Sequence, residues 1–192
     1  NSLAWNRISY GITQLPDALA ANTGWSPGAL LGGAVAAVAG AAVSALLARR
    51  RVCLPATDGH ALHAFRIGAG VFVGTFCLGS NFDYRLLCLL LAVPQVVRWC
   101  QTSRGPARGA ACLAATLIPL LLWSMTWRKG FASVLGSQTP GLMLDELLTW
   151  TLLLLLLVAL CLSLPGWLLP GPDRANSLTL PAATEPAAPR SA

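Results

Sequence analysis

Charge is what this sequence has least of. Of its 192 residues only 10% are charged, with 13 basic and 7 acidic side chains and a single lysine, Lys129. Globular chains carry about 25% charged residues. That shortfall excludes soluble nucleotide-binding units, zinc ribbons and basic nucleic-acid modules as readings of the whole chain. Disorder is excluded from the other direction, because 55% of the residues are hydrophobic and the mean hydropathy is +0.64. Paired cysteines are also missing: Cys53, Cys77, Cys88, Cys100, Cys112 and Cys161 stand singly, without a CxxC. The sequence opens on Asn1, and its first residues show neither the charged n-region nor the apolar h-region of a signal peptide. The expectation is a processed product or, better, the C-terminal part of a longer protein.

What the chain does have is long apolar runs. Crossing roughly 30 Å of hydrocarbon takes about 20 predominantly apolar residues. Five stretches qualify as expected spans, at 28–48, 64–80, 82–99, 110–127 and 142–164. Arg49, Arg50 and Arg51 end the first, and Arg66 stands near the start of the second, where a long side chain can snorkel. Pro94 and Pro119 each delete a backbone donor, so the third and fourth spans are expected to kink. The expected fold class is all-α, a polytopic transmembrane helix bundle of about five spans.

The few charges orient it. With five spans, Arg49, Arg50, Arg51, Arg66, Arg98, Arg104, Arg108 and Arg174 share one side, and Arg85, Arg128 and Lys129 the other. Basic excess marks the cytoplasmic side. The N-terminus is therefore expected outside and the C-terminus in the cytoplasm. The net charge of +6 then reads as topology, and no nucleic-acid partner is expected. The tryptophans draw the same boundaries. Trp25, Trp99, Trp127 and Trp167 fall at predicted span ends, with Trp123 and Trp150 about a turn inside.

Outside the spans, residues 1–27 read as an amphipathic surface segment interrupted at Pro16, or as a loop packed on the bundle. Residues 165–192, rich in proline and alanine, read as a disordered cytoplasmic tail. Gly28 and Gly32, and Gly70 and Gly74, form small-xxx-small pairs. Packing within the bundle is their expected use, and a dimer face the alternative.

Candidates for chemistry are few. Cysteines in or beside spans behave as small hydrophobes. His60 and His63, with Asp58 nearby, offer two metal ligands and no third, so a solvated helix entry is expected, with no metal and no cofactor. Asp145 and Glu146 are expected to open the last helix, where carboxylates favour the dipole, with Thr139 as cap and Pro140 at the first helical position. Their alternative role is a general base, or pairing with Arg128 and Lys129.

The turn Gly79-Ser80-Asn81-Phe82-Asp83-Tyr84-Arg85 stands out, because ionisable groups at membrane depth are costly and usually paired or functional. Structurally, Asn81 or Asp83 can cap the next helix while Arg85 pairs or snorkels. Functionally, Arg85 can present its planar fork to a phosphate, oriented by Asp83, with Tyr84 stacking on a sugar.

The stretch from Gly74 to Leu87, GTFCLGSNFDYRLL, continued by Leu89-Leu90-Leu91 and Pro94-Gln95, resembles a pattern in the C-terminal part of large bacterial polytopic membrane proteins. Some of these are similar to the glycosyltransferase-C superfamily, which uses polyprenyl-phosphate sugars at the outer face of the membrane. The match covers about 22 residues. The resemblance implies a bacterial inner-membrane protein of envelope polysaccharide or glycolipid synthesis. Its implied partners are the bilayer, a polyprenyl-phosphate sugar and upstream membrane helices of a parent chain. In that superfamily the catalytic carboxylate lies in the first outer loop of the full-length protein, so no residue here carries over as catalytic. Asn81, Asp83, Tyr84 and Arg85 carry over as motif members; Arg128 and Lys129 join them as basic residues of the same expected side. The rival expectation is a non-catalytic scaffold or transport-associated subunit, in which the Asn81–Arg85 turn locks two helices together.

Overall fold

A computed structural model describes residues 9–10, 12–49, 59–78, 81–137 and 139–165. The chain is an all-α helix bundle. Helix α1 spans Gln14–Thr23, α2 Pro27–Ala48, α3 Gly59–Cys77, α4 Val93–Thr102, α5 Gly105–Leu122, α6 Ser124–Leu135 and α7 Thr139–Ser163. A 3-10 helix, Asp83–Leu91, precedes α4. Two short strands, β1 (Ser9–Tyr10) and β2 (Asn81–Phe82), pair antiparallel, Ser9 opposite Phe82 and Tyr10 opposite Asn81.

Helices α3 and α7 form the centre. Helix α7 packs against α2, α3, α5 and α6, and α3 also packs against the 3-10 helix and α4. The leucine run of α7 buries Leu152, Leu153, Leu156 and Leu157 on its inward stripe, and α3 inserts Phe65, Phe72 and Phe76. Phe76 meets Trp150 edge-on at 5.2 Å, and Phe65 meets Trp99 at 4.8 Å in the same geometry favoured by ring quadrupoles.

Among the described residues, three helices are long and apolar enough to cross a membrane: Pro27–Ala48, Gly105–Leu122 and Pro140–Ser163. Helix α2 makes the physical case. Its 18-residue window has a mean hydropathy of 2.1 yet is only 6% buried by the rest of the chain. An apolar rod left that bare is unfavourable in water and at home in hydrocarbon. Its start is conventional: the Ser26 hydroxyl accepts from the Ala29 amide at 3.2 Å, and Pro27 follows at the first helical turn.

The third expected span differs most from expectation. Instead of one kinked α-helix at 82–99, the chain forms the 3-10 helix and then α4, with Pro94 in the first turn of α4. A proline there removes a donor that has no intrahelical partner, so it starts the helix and does not bend one. Burial follows the tighter screw: Leu86, Leu89 and Ala92 are buried at intervals of three while Leu87, Leu90 and Leu91 are exposed. Gly68 of α3 permits this packing. A Cβ on Gly68 would lie 2.4 Å from the Cys88 carbonyl oxygen and 2.9 Å from the Leu91 Cβ. By contrast, a Cβ on Gly28, Gly32, Gly70 or Gly74 would meet nothing within 4 Å. The expected close packing at those four glycines is therefore not what the bundle uses; Gly68 is where backbones converge.

Proline shapes the fourth expected span as well. Helix α5 starts earlier than expected and runs through Pro119, then breaks at Trp123 before α6 begins. The Trp127 indole donates to the Leu120 carbonyl at 3.0 Å, satisfying one of the acceptors that a helix end leaves open. Pro16 likewise does not interrupt α1 but sits in its first turn. Residues 1–8 and 166–192, including the expected disordered tail beyond Pro165, lie outside the described residues.

Candidate functional site

Charged groups sort to opposite ends of α7. At its C-terminal end the guanidinium of Arg49, from the end of α2, donates to the Leu164 carbonyl, and that of Arg66, from α3, donates to the Ser163 carbonyl. The last carbonyls of a helix have no intrahelical donor and carry the negative end of the dipole, so two cations fit there on both counts. These arginines thus have a structural duty beyond any role in orientation.

At the opposite end, Arg128 of α6 and Asp145 of α7 form a buried ion pair, Nη1 to Oδ2 at 3.0 Å, with the two side chains 13% and 2% exposed. Asp145 is not in the first turn of α7, which begins at Thr139. The dipole contribution falls off within that turn. The carboxylate is held by the guanidinium instead, correcting the expected role. The Thr149 hydroxyl, buried beside it, donates to the Asp145 carbonyl at 2.8 Å. The Thr139 side chain, the expected cap, lies outside the described residues.

Glu146 is the neighbour without such an arrangement. It is partly buried, and its Oε2 has no hydrogen-bond partner among the described residues. Four residues on, and so on the same face of the helix, Trp150 is buried with its Nε1 also unpartnered. Trp150 lines a cavity of about 190 Å³ with Leu15, Pro16, Leu19, Leu30 and Ala34. An acceptor and a donor thus lie one turn apart on α7, and the ring of Trp150 forms part of an apolar hollow between α1, α2 and α7.

The motif turn belongs to this same end. Phe76, the edge-on neighbour of Trp150, accepts a backbone hydrogen bond from Ile12 at 3.1 Å. Two residues before Ile12, Tyr10 pairs with Asn81. The N-terminal segment therefore ties the end of α3 to the start of the motif. The backbone of Asn81 and Phe82 is strand, and that of Asp83, Tyr84 and Arg85 opens the 3-10 helix. The side chains of Asn81, Asp83, Tyr84 and Arg85 lie outside the described residues. Of the other expected site residues, Arg128 is engaged by Asp145 and Lys129 is exposed. That Glu146 and Trp150 both carry unpartnered polar atoms was not signalled by sequence pattern, although their four-residue spacing is visible once the helix is placed. His60 and His63 are exposed in the first two turns of α3.

No family model, curated protein or solved structure matches this chain.

Proposed function

We propose that the chain is the C-terminal membrane portion of a lipid-linked-sugar glycosyltransferase-like protein, acting in envelope polysaccharide or glycolipid synthesis at a bacterial inner membrane. The observation that carries this reading is the unpartnered Glu146 carboxylate oxygen one turn from the unpartnered Trp150 indole, at the bundle end where the Asn81–Arg85 segment begins. A carboxylate acceptor beside an aromatic ring suits a sugar, whose hydroxyls donate and whose C–H face packs on an indole. Arg85 and Lys129 supply charge for the linking phosphate, while Arg128 serves by holding Asp145. The substrate class comes from the Gly74–Gln95 resemblance. The reading assigns binding, and no catalytic base, to these residues.

The proposal includes five spans, with the N-terminus outside and the C-terminus in the cytoplasm. The 3-10 helix and α4 contribute one span between them. At about 2.0 Å per residue in the first and 1.5 Å in the second, together they reach roughly 33 Å, comparable with the hydrocarbon thickness. A cysteine-accessibility map that puts positions 49–51 outside overturns this orientation.

Function is tested by titrating the protein, in lipid nanodiscs, with a polyprenyl-phosphate sugar and with the bare polyprenyl phosphate. The sugar conjugate is expected to bind tighter. Glu146→Gln is expected to erase the difference and Arg85→Ala to weaken both. Equal, saturable-free association of both lipids rejects the proposal.

A second reading is a non-catalytic scaffold or transport-associated subunit. It is favoured by the β1–β2 pairing and the Arg128–Asp145 pair, which knit this end of the bundle without any ligand. Loss of folding in Arg85→Ala, with no lipid-sugar binding by the parent protein, supports it.

A further inference from the structure

At the arginine end of the bundle the chain holds a second, larger hollow that the proposed function does not use. It measures about 280 Å³ and lies between α3, α4, α5 and α7, with Trp99, Ser103, Ala107, Ala111, Leu156 and Ala159 among its walls. After Pro106, the lining face of α5 carries small side chains, Ala107, Ala110, Ala111 and Ala114, which leave space opposite Leu155, Leu156 and Leu162 of α7. The lining from Pro106 to Ala114 runs along α5 for roughly 12 Å at about 1.5 Å per residue. The hollow is therefore a slot parallel to the helices. Its α5 wall is exposed at Pro106 and Ala110, which leaves it open to the outside of the bundle.

Two of its lining residues, Ser103 and Trp99, are only 6% and 4% exposed, and among the described residues neither the Ser103 Oγ nor the Trp99 Nε1 has a hydrogen-bond partner. A buried donor without an acceptor is unfavourable, so a ligand in the hollow that brings an acceptor to either group gains from it. Ser103 is the C-cap of α4, and Trp99 lies one turn back along the same helix. Beyond Ser103, the exposed Arg104 and Arg108 flank the first turn of α5. The N-terminal amides of α5 add the positive end of its dipole there. Gly105, at φ +58, makes the tight turn that brings this helix start next to Ser103.

Read from the surface inward, the site offers fixed positive charge, then neutral hydrogen-bond donors, then an apolar slot. A glycerophospholipid presents the complementary series: phosphate, ester carbonyl, acyl chain. We infer that this slot binds one acyl chain of an anionic phospholipid, with its phosphate at Arg104, Arg108 and the α5 N-terminus, and an ester oxygen accepting from Ser103 and Trp99. The inference is independent of the lipid-linked-sugar reading, because it concerns the other end of the bundle and none of the same residues.

The test is native mass spectrometry of the full chain, delipidated in detergent and titrated with phosphatidylglycerol or with phosphatidylcholine of identical acyl chains. One phosphatidylglycerol per chain is expected to be retained, at least about tenfold tighter than phosphatidylcholine. Ser103→Ala should weaken retention about three- to tenfold. Arg104→Gln with Arg108→Gln, both on the surface, should bring the two lipids within about threefold of each other. Ala111→Leu should fill the slot and abolish retention while the helical circular dichroism is unchanged. If Ala111→Leu fails to fold, the surface double variant still decides the matter. Equal retention of both lipids by the parent protein overturns the inference, and so does a non-saturating series of bound lipids untouched by these substitutions. Displacement of phosphatidylglycerol by inorganic phosphate alone also overturns it, since the ligand would then be a soluble anion.

Discussion

The two ends of α7 use arginine for different purposes. At the C-terminal end, Arg49 and Arg66 reach across from α2 and α3 to backbone carbonyls, so the cations complete a helix. At the N-terminal end, Arg128 neutralises a buried carboxylate, so the cation completes a side chain. Removing a cation leaves an open carbonyl in the first case, and a naked buried charge in the second. The contrast also separates structure from candidate function. Where the arginines serve the backbone, the Ser103 hydroxyl and the Trp99 indole are among the atoms without a partner in the described residues. Where arginine serves a carboxylate, the adjacent Glu146 oxygen is left over.

The largest effect should come from breaking the buried pair. Asp145→Ala or Arg128→Ala is expected to lower stability by about 3–5 kcal/mol, because either leaves its partner charged and buried. Replacing both with Leu and Met should restore most of that loss. Denaturant unfolding in detergent micelles measures both, and a double variant no better than the singles would show that the pair does more than cancel charge.

A substitution between the two ends should injure them together. Gly68→Ala places a methyl group against the Cys88 carbonyl and Leu91, and is expected to cost about 1–3 kcal/mol through overpacking. Gly70→Ala, on the same helix with open space around it, is the control and should change stability by less than about 0.5 kcal/mol. Equal effects at the two glycines would break the assignment of Gly68 as the point of convergence.

At the carbonyl-capping end, Arg49→Gln and Arg66→Gln should each cost about 1–2 kcal/mol, less than loss of the buried pair. Their effects should not add fully, since both serve adjacent carbonyls. Hydrogen exchange should report fraying of the last turn of α7 and leave its Asp145 region protected. Smallest of all, Glu146→Gln should shift stability by less than about 1 kcal/mol, because its Oε2 has no hydrogen-bond partner among the described residues. A larger destabilisation would reveal that Glu146 is part of the lock and would shift weight to the scaffold reading.

Much of the helical layout was visible in the residues. The uninterrupted runs behind α2 and α7 need no tertiary information, because a long apolar stretch has one economical way to satisfy its backbone. Ser26-Pro27 marks a helix start by local chemistry alone. The stretch from Leu86 to Leu91 is different. Apart from Cys88 it is leucine throughout, so no face is distinguished, and a period of three cannot be told from 3.6. Only the backbone of α3, close at Gly68, selects the tighter screw. The glycine spacing pointed to Gly28, Gly32, Gly70 and Gly74 because a motif records which residues are small, not what stands beside them. For the candidate site, the unusual polar turn at Asn81–Arg85 and the carboxylates at Asp145 and Glu146 could both be picked out. Their separation by more than fifty positions hid that they share one end of the bundle.

By itself, then, the sequence determined the environment and the rods: few charges and long apolar runs call for hydrocarbon, and local caps and prolines set where helices start. The tertiary structure decided the partners. Which arginine faces a carbonyl and which a carboxylate, which glycine is crowded, and which polar atoms are left open all depend on residues far apart in the chain. Hydropathy sums along the chain, whereas hydrogen bonds and close contacts depend on distances across it, and only the folded bundle sets those distances.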